Sequence, residues 1–230
     1  MASIVENIQR TLTRIREAEI AACRSAGSVE LLAVSKTRSA DEVREAYAAG
    51  LREFGENYLQ DALTKIEVLT DLDICWHFIG PLQSNKTRTV AAHFAWVHSV
   101  DRLKIAQRLS EQRGAEQAPL NLCIQVNISR EASKSGVAPD EVMALAQQIL
   151  ALPRVQLRGL MAIPAADLDE AEQRHTFARM QQLLEQLQTL SPAIDTLSMG
   201  MSDDLETAIA EGSTLVRIGT ALFGPRASRV

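Results

Sequence analysis

The stretch Leu31-Leu32-Ala33-Val34-Ser35-Lys36-Thr37-Arg38 sets the reading of the whole chain. Its apolar run has strand character and stops abruptly at a lysine, after which a helical pattern begins. Side chains alternate across a strand, so Leu32, Val34 and Lys36 share one face, and Ala33 and Ser35 the other. A lysine that closes an otherwise apolar face loses solvation, which favours its neutral form. A neutral amine attacks aldehydes to form a Schiff base, so Lys36 is the candidate reactive group. The plainer expectation is a side chain that runs along the surface and ends in water. The remainder of the sequence decides between the two.

Outward from this stretch, short apolar runs and amphipathic segments alternate. Strands are expected at residues 31–35, 52–55, 76–79, 95–98, 120–127, 155–161, 195–198 and 214–218. Helices are expected from about 41 to 50, 58–69, from about 85, 101–112, 139–150, 169–190 and 203–211, with a short last segment at 221–224. Pro139 suits a helix start, where its missing N–H is not needed. Ile4, Ile8, Leu12, Ile15, Ala18 and Ala22 recur at helical spacing and predict an extra N-terminal helix over residues 3–24, lying on the outside or bottom of the body. Strands each followed by a helix predict an α/β fold of the (β/α)8 TIM-barrel class. A doubly wound open sheet rarely uses so many short, evenly spaced strands. No linker or repeat interrupts the pattern, so residues 1–230 are expected to form a single barrel domain.

Composition removes several function classes. The 230 residues are 46% hydrophobic and 23% charged, with a formal net charge of -5. That acidic balance repels polyanions and argues against nucleic-acid binding. At 4% aromatics, few platforms exist on which single strands could stack. No apolar run reaches membrane-spanning length and no signal-peptide core is expected at the N-terminus. Cys23, Cys75 and Cys123 lie far apart, which suits a reducing cytoplasm and offers no metal motif. His93, His98 and His175 share no ligand spacing, so no metal is expected, and His77 reads as a satisfied core histidine.

Barrel enzymes place their chemistry at the C-terminal ends of the strands and often hold phosphate in the loops after strands seven and eight. The seventh strand is followed by Ser198-Met199-Gly200-Met201-Ser202-Asp203-Asp204. Gly200 permits an unusual turn, and Asp203 with Glu206 predicts a capping box for the next helix. Asp203 and Asp204 disfavour a phosphate close by unless their side chains point away. The eighth strand is followed by Arg217-Ile218-Gly219-Thr220, where backbone N–H groups and the Thr220 hydroxyl suit a phosphate at a helix start. Closure pairs the eighth strand with the first, so Arg217 and Lys36 should meet at one rim. A lysine for an aldehyde, donors for a phosphate and an arginine for a ring nitrogen together match pyridoxal 5′-phosphate (PLP).

The chain also resembles the pyridoxal phosphate homeostasis proteins (the YggS/PROSC family), single-domain relatives of the alanine racemase barrel. The resemblance rests on AVSKTR at 33–38, FGENYLQ at 54–60, WHFIGPLQSNK at 76–86, SKSG at 133–136, RGLMAI at 158–163, LSMGMSDD at 197–204 and VRIGTALFG at 216–224. It implies the type III PLP fold, with Lys36 as the Schiff-base lysine and Arg217 facing the pyridine nitrogen. It also implies Ser202, Gly219 and Thr220 around the phosphate, and Asn57 beside the cofactor. An arginine at the pyridine nitrogen keeps it unprotonated, so the ring is a weak electron sink. Racemases of this type add a tyrosine base from a further β-rich domain and a dimer partner, for which this length leaves no room. Of the two tyrosines, Tyr47 falls mid-helix and Tyr58, beside Asn57, reads as packing.

The expectation is therefore a cytoplasmic, monomeric carrier that buffers or delivers PLP, with PLP-dependent apo-enzymes as candidate recipients and no catalytic residue. One rival is an amino-acid racemase acting through Lys36 and Tyr58. A second is a cofactor-free Schiff-base aldolase for a phosphorylated sugar, which needs Lys36 and the phosphate loops but not Arg217. Lys86 and Arg88 read as a solvated helix face, although a basic rim for phosphorylated molecules fits them too. Lys134 and Ser135 sit in a loop with either a guarding or a partner role. Met161, Met199 and Met201 fall near the rim, as core filling or as packing for a planar ring.

Overall fold

A parallel sheet buries both faces, one under its crossover helices and the other against itself, once the last strand meets the first. The computed structural model describes residues 3–131, 134–165 and 168–225. Its strands are β1 (Glu30–Val34), β2 (Glu53–Glu56), β3 (Cys75–Phe78), β4 (Trp96–Val100), β5 (Leu120–Val126), β6 (Val155–Ala162), β7 (Thr196–Ser198) and β8 (Leu215–Ile218). They pair in chain order as a closed parallel barrel. The ring closes through β8 and β1, with Leu32 opposite Arg217 and Ala33 opposite Ile218. α1 (Ile4–Ala21) precedes the barrel. The crossovers are α2 (Ala40–Ala48), α3 (Leu59–Val68), α4 (Thr87–His93), α5 (Leu103–Gln112), α6 (Val142–Leu150), α7 (Glu170–Gln188) and α8 (Leu205–Ala210), and α9 (Thr220–Phe223) follows β8. Among the described residues no helix is long and apolar enough to cross a membrane.

The alternation read from the sequence is present, with shifted ends. β1 starts and stops one residue earlier than the pattern suggests, so Lys36 lies in the loop beyond the ladder. The helix expected from 139 begins as a 3-10 turn at Pro139–Glu141, where the Glu141 carboxylate accepts from the Ala138 N–H at 3.0 Å, and becomes α-helical at Val142. Ser39 rather than Asp41 governs the start of α2, through a reciprocal capping box with Glu42.

Strand parity sorts the core. Leu31, Ala33, Phe54, Trp76, Phe78, Val216 and Ile218 face the helices and join the large apolar cluster that also holds Val43, Ala46 and Leu109. Leu32, Val34, Ile79 and Leu215 form a separate small cluster inside the barrel. Burying one such leucine contributes about 1.5–3 kcal/mol, so this inner patch anchors the end of β1 from which Lys36 emerges.

α1 is capped by Ser3 and Glu6 and buries Ile8, Ile15 and Ala18. It packs on α8 and α9 along the outer wall. Asn7 donates to the Leu222 carbonyl at 3.0 Å and Arg14 to the Ser202 carbonyl at 3.0 Å. The helix thus lies outside, as the pattern suggests, but reaches toward the upper rim rather than the bottom.

Candidate functional site

The Lys36 loop is a tight turn held from below. Arg38 N–H donates to the Ser35 carbonyl at 3.0 Å, and Thr37 sits at φ +65°. A β-branched residue in that region costs on the order of 1–3 kcal/mol and persists only where its surroundings impose it. Here they do. The Thr37 N–H donates to Asp61 Oδ2 at 3.2 Å, and Lys65 Nζ binds that same oxygen at 2.9 Å, the Ser35 carbonyl at 2.7 Å and Glu56 Oε1 at 2.6 Å. Ser35 Oγ–H donates to Glu56 at 2.6 Å. Glu56 and Lys65 are almost fully buried. Burial raises the Glu56 carboxyl above its ordinary range, and the Lys65 charge offsets only part of that.

Arg217 occupies the facing wall. Its Nη1 donates to Ser198 O at 2.6 Å and Ser198 Oγ at 2.9 Å, and its Nη2 to Ala162 O at 2.9 Å. Burial pushes its pKa down to about 10, so it is charged at neutral pH. These three bonds use only part of the guanidinium's donor set. The loop after β7 folds under it through Gly200 at φ +94°, whose carbonyl accepts from the Arg217 N–H at 2.9 Å. A Cβ at Gly200 would fall 2.6 Å from Ala208 Cβ, so no other residue fits.

Between the walls lies a cavity of about 450 Å³ at the C-terminal ends of the strands. Lys36, Asn57, Ser202, Arg217, Gly219 and Thr220, the six residues singled out from the sequence, all line it. Val34, Ile79, Ile163 and Met201 supply apolar surface, and Arg14 and Asp203 stand at its edge. Asn57 Oδ1 is buried with no hydrogen-bond partner. An acceptor desolvated in this way is costly unless a donor reaches it. Gly80 presses the loop after β3 against Asn57, where a Cβ would come within 2.1 Å of the Asn57 carbonyl.

Several expectations need correction. The Asp203–Glu206 capping box does not form. α8 begins later, its N-cap is Asp204, and Asp204 Oδ1 accepts from the Met201 N–H at 2.5 Å. Glu206 instead pairs with Arg14 of α1 at 2.8 Å, which carries Arg14 to the cavity. Nothing in the local sequence marks Arg14, because its partners lie some 190 residues away. Asp204 thus turns back into its own loop, whereas Asp203 lines the cavity. Sequence spacing also leaves one polar cluster unseen. Strand register brings a carboxylate oxygen of Glu53, the Cys75 sulfur and a His77 ring nitrogen within 4.8 Å of one another, and His77 contacts His98.

The remaining singled-out residues stand apart from the cavity. Tyr58 is 58% exposed and Tyr47 packs under the Arg52 guanidinium at 3.8 Å, so neither tyrosine lines it. Lys86 and Arg88 are exposed on the start of α4. Lys134 pairs with Glu131 at 3.0 Å and the Ser135 carbonyl accepts from Gln125 at 3.1 Å. Ser133 lies outside the described residues. Met161 and Met199 are buried core, and Met201 alone of the three lines the cavity.

Comparison with known proteins gives consistent matches. The family model described as alanine racemase, N-terminal domain, matches residues 7–227. The pyridoxal phosphate homeostasis protein of Pseudomonas aeruginosa is 63% identical over 226 residues, covering 98% of this chain and 97% of that one. The protein of the same name from Escherichia coli K12 is 51% identical over 229 residues, covering 98% of each. PipY of Synechococcus elongatus, solved with PLP bound, superposes with a TM-score of 0.80 at 42% identity, covering 91% of this chain and all of that one. Alanine racemase from Corynebacterium glutamicum, at 15% identity and a TM-score of 0.70, covers 98% of this chain and 64% of its own and shares the fold.

Proposed function

This chain belongs to the alanine racemase N-terminal domain family, and we propose that it binds pyridoxal 5′-phosphate and serves the cell's PLP homeostasis. The observation that carries the reading is one cavity lined by an amine, a buried guanidinium and the helix start at Gly219 and Thr220, with an unpartnered buried acceptor on its wall. Those residues fit the cofactor's parts. Lys36 would hold the aldehyde covalently. Ser202 and the turn at Gly219 and Thr220 would hold the phosphate, helped by the N–H groups that open α9. Arg217 would face the ring nitrogen, Asn57 Oδ1 would accept from a polar ring substituent, and Val34, Ile79 and Met201 would pack on the ring.

Bound PLP supplies an aldehyde and a conjugated ring able to take up electrons. The residues here favour holding it over using it. A donor-only guanidinium at the ring nitrogen prevents that nitrogen from taking a proton. Neither tyrosine lines the cavity to serve as a second base. The reading is thus a carrier without catalytic residues, one barrel acting as a monomer in the cytoplasm and passing PLP to apo-enzymes that need it. Its three cysteines are free, which suits a reducing compartment. The test is uptake followed by release. Protein stripped of cofactor and mixed with PLP should turn yellow, keep the cofactor through gel filtration, restore a PLP-dependent apo-enzyme, and turn over no L-amino acid. A protein that stays colourless contradicts PLP binding, and sustained amino-acid turnover contradicts the carrier role.

A further inference from the structure

Five side chains form a line of hydrogen bonds through the barrel interior, and the cavity accounts for only one of them. Arg217 Nη1 lies 2.9 Å from Ser198 Oγ, and Ser198 Oγ lies 2.9 Å from His98 Nδ1. His98 Nε2 lies 2.9 Å from His77 Nδ1, and His77 Nε2 lies 2.6 Å from Glu53 Oε2. Glu53 and Cys75 open β2 and β3, so the line begins at the end of the barrel opposite the cavity. Both imidazoles and Ser198 are fully buried, and Glu53 is 24% exposed. The His77 ring is clamped by Trp96, stacked at 5.3 Å and 5°.

The two ends dictate one direction for every proton. Arg217 can only donate, so Ser198 Oγ accepts from it, which leaves the Ser198 O–H available to His98 Nδ1. A neutral His98 with an accepting Nδ1 carries its proton on Nε2 and donates to His77 Nδ1. His77 then carries its proton on Nε2 and donates to Glu53. Starting from Glu53, an ionised carboxylate that can only accept, gives the same assignment. Burial lowers both imidazoles below their ordinary pKa, His98 well below, which keeps them neutral as this requires. Burial alone would raise Glu53, but hydrogen bonds from His77 and Cys75 bring it below the ordinary range and keep it ionised.

We propose that Glu53, His77, His98 and Ser198 form a one-way hydrogen-bond chain that carries the Glu53 charge to Arg217 and fixes how its guanidinium meets the cavity. Among the described residues no carboxylate hydrogen-bonds Arg217 directly: its direct partners are two carbonyls and a hydroxyl, and Asp204 favours its charge without touching it. A buried cation gains from every acceptor that is itself polarised toward it, and the chain polarises Ser198 Oγ in that sense. The histidines and Ser198 are positioning residues that act through Arg217. The inference rests on the PLP reading only in what Arg217 faces.

The test uses the full chain and two readouts. Nitrogen-15 NMR of the imidazoles at neutral pH, with no PLP added, should find His77 and His98 both protonated on Nε2 and bare on Nδ1. Equilibrium binding of PLP and of inorganic phosphate then reads Arg217. Ser198→Ala cuts the chain without burying a charge and should weaken PLP about tenfold while leaving phosphate binding unchanged, and Ser198→Thr should restore it. Glu53→Gln should mix the His77 tautomers and weaken PLP similarly. An Nδ1–H tautomer at His98 overturns the proposal, as do equal losses for PLP and phosphate. So does zinc bound by Glu53, Cys75 and His77, because metal on His77 Nε2 would reverse the chain. Wild-type protein that rejects PLP defeats the functional reading instead, and the tautomers still judge the chain.

Discussion

The barrel interior has two unlike halves. Along β1 and the start of β8 it is hydrocarbon, with Leu32, Val34, Ile79 and Leu215 in contact below Lys36. From Arg217 across β7, β4, β3 and β2 it is polar, with Ser198, His98 and His77 joined by hydrogen bonds to Glu53. The difference follows the chemistry of the two cations. The Lys36 amine reacts with an aldehyde as a nucleophile, and its strand rests on the apolar patch. A guanidinium never gives up its charge at working pH, so hydrocarbon around it would be costly and hydrogen bonds are required. One cavity thus holds both over a floor that changes character from side to side.

The largest effect should come from the amine itself. Lys36→Met keeps the apolar floor and should abolish PLP retention through gel filtration, and retention undiminished in that variant would break the contrast. Next is the floor beneath it. Leu32 is fully buried, and Leu32→Ala should lower the unfolding free energy by about 2–5 kcal/mol in urea titrations, as large-to-small core changes do. A loss below about 1 kcal/mol would mean that the patch is not packed as described.

The polar half should announce itself through pH. His77 and His98 stay neutral in the folded barrel because burial lowers their pKa, with Glu53 opposing at His77 and Arg217 reinforcing at His98. In the unfolded chain both take up protons below about pH 6.5. The unfolded state then binds more protons, so stability is complete above that pH and falls as pH drops through it, by at most about 1.4 kcal/mol per pH unit per histidine. Urea titrations at neutral and mildly acidic pH read this directly, and His98→Gln should flatten the slope. A slope unchanged by the substitution would place the titration elsewhere. The smallest effect is expected at Tyr58→Phe, outside both halves, which should leave PLP binding and stability unchanged within about 0.5 kcal/mol.

The apolar half was legible in the sequence and the polar half was not. Alternation in residues 31–36 is enough to put Leu32, Val34 and Lys36 on one side, and closure then brings β8 beside β1. Chemistry concentrated at the ends of β1, β7 and β8 is likewise visible as lysine, glycine and arginine next to apolar runs. The polar line draws one residue each from β2, β3, β4, β7 and β8, and no local pattern links Glu53 to His77 or His98 to Ser198. Their meeting depends on register, which a one-residue slip would undo. The same limit hid Arg14, which reaches the rim only because α1 docks on α8, and the positive φ of Thr37, which Asp61 and Lys65 impose from α3. The failed capping box at Asp203 shows tertiary pairing overriding a local signal, since Glu206 is taken by Arg14.

The central claim is that the cavity presents Lys36 to an aldehyde-bearing cofactor. Mass spectrometry of the protein after incubation with PLP, borohydride reduction and proteolysis tests it most directly. A single adduct of reduced PLP on the peptide containing Lys36 is the predicted result. Adducts scattered over exposed lysines such as Lys86, or none at all, would contradict it.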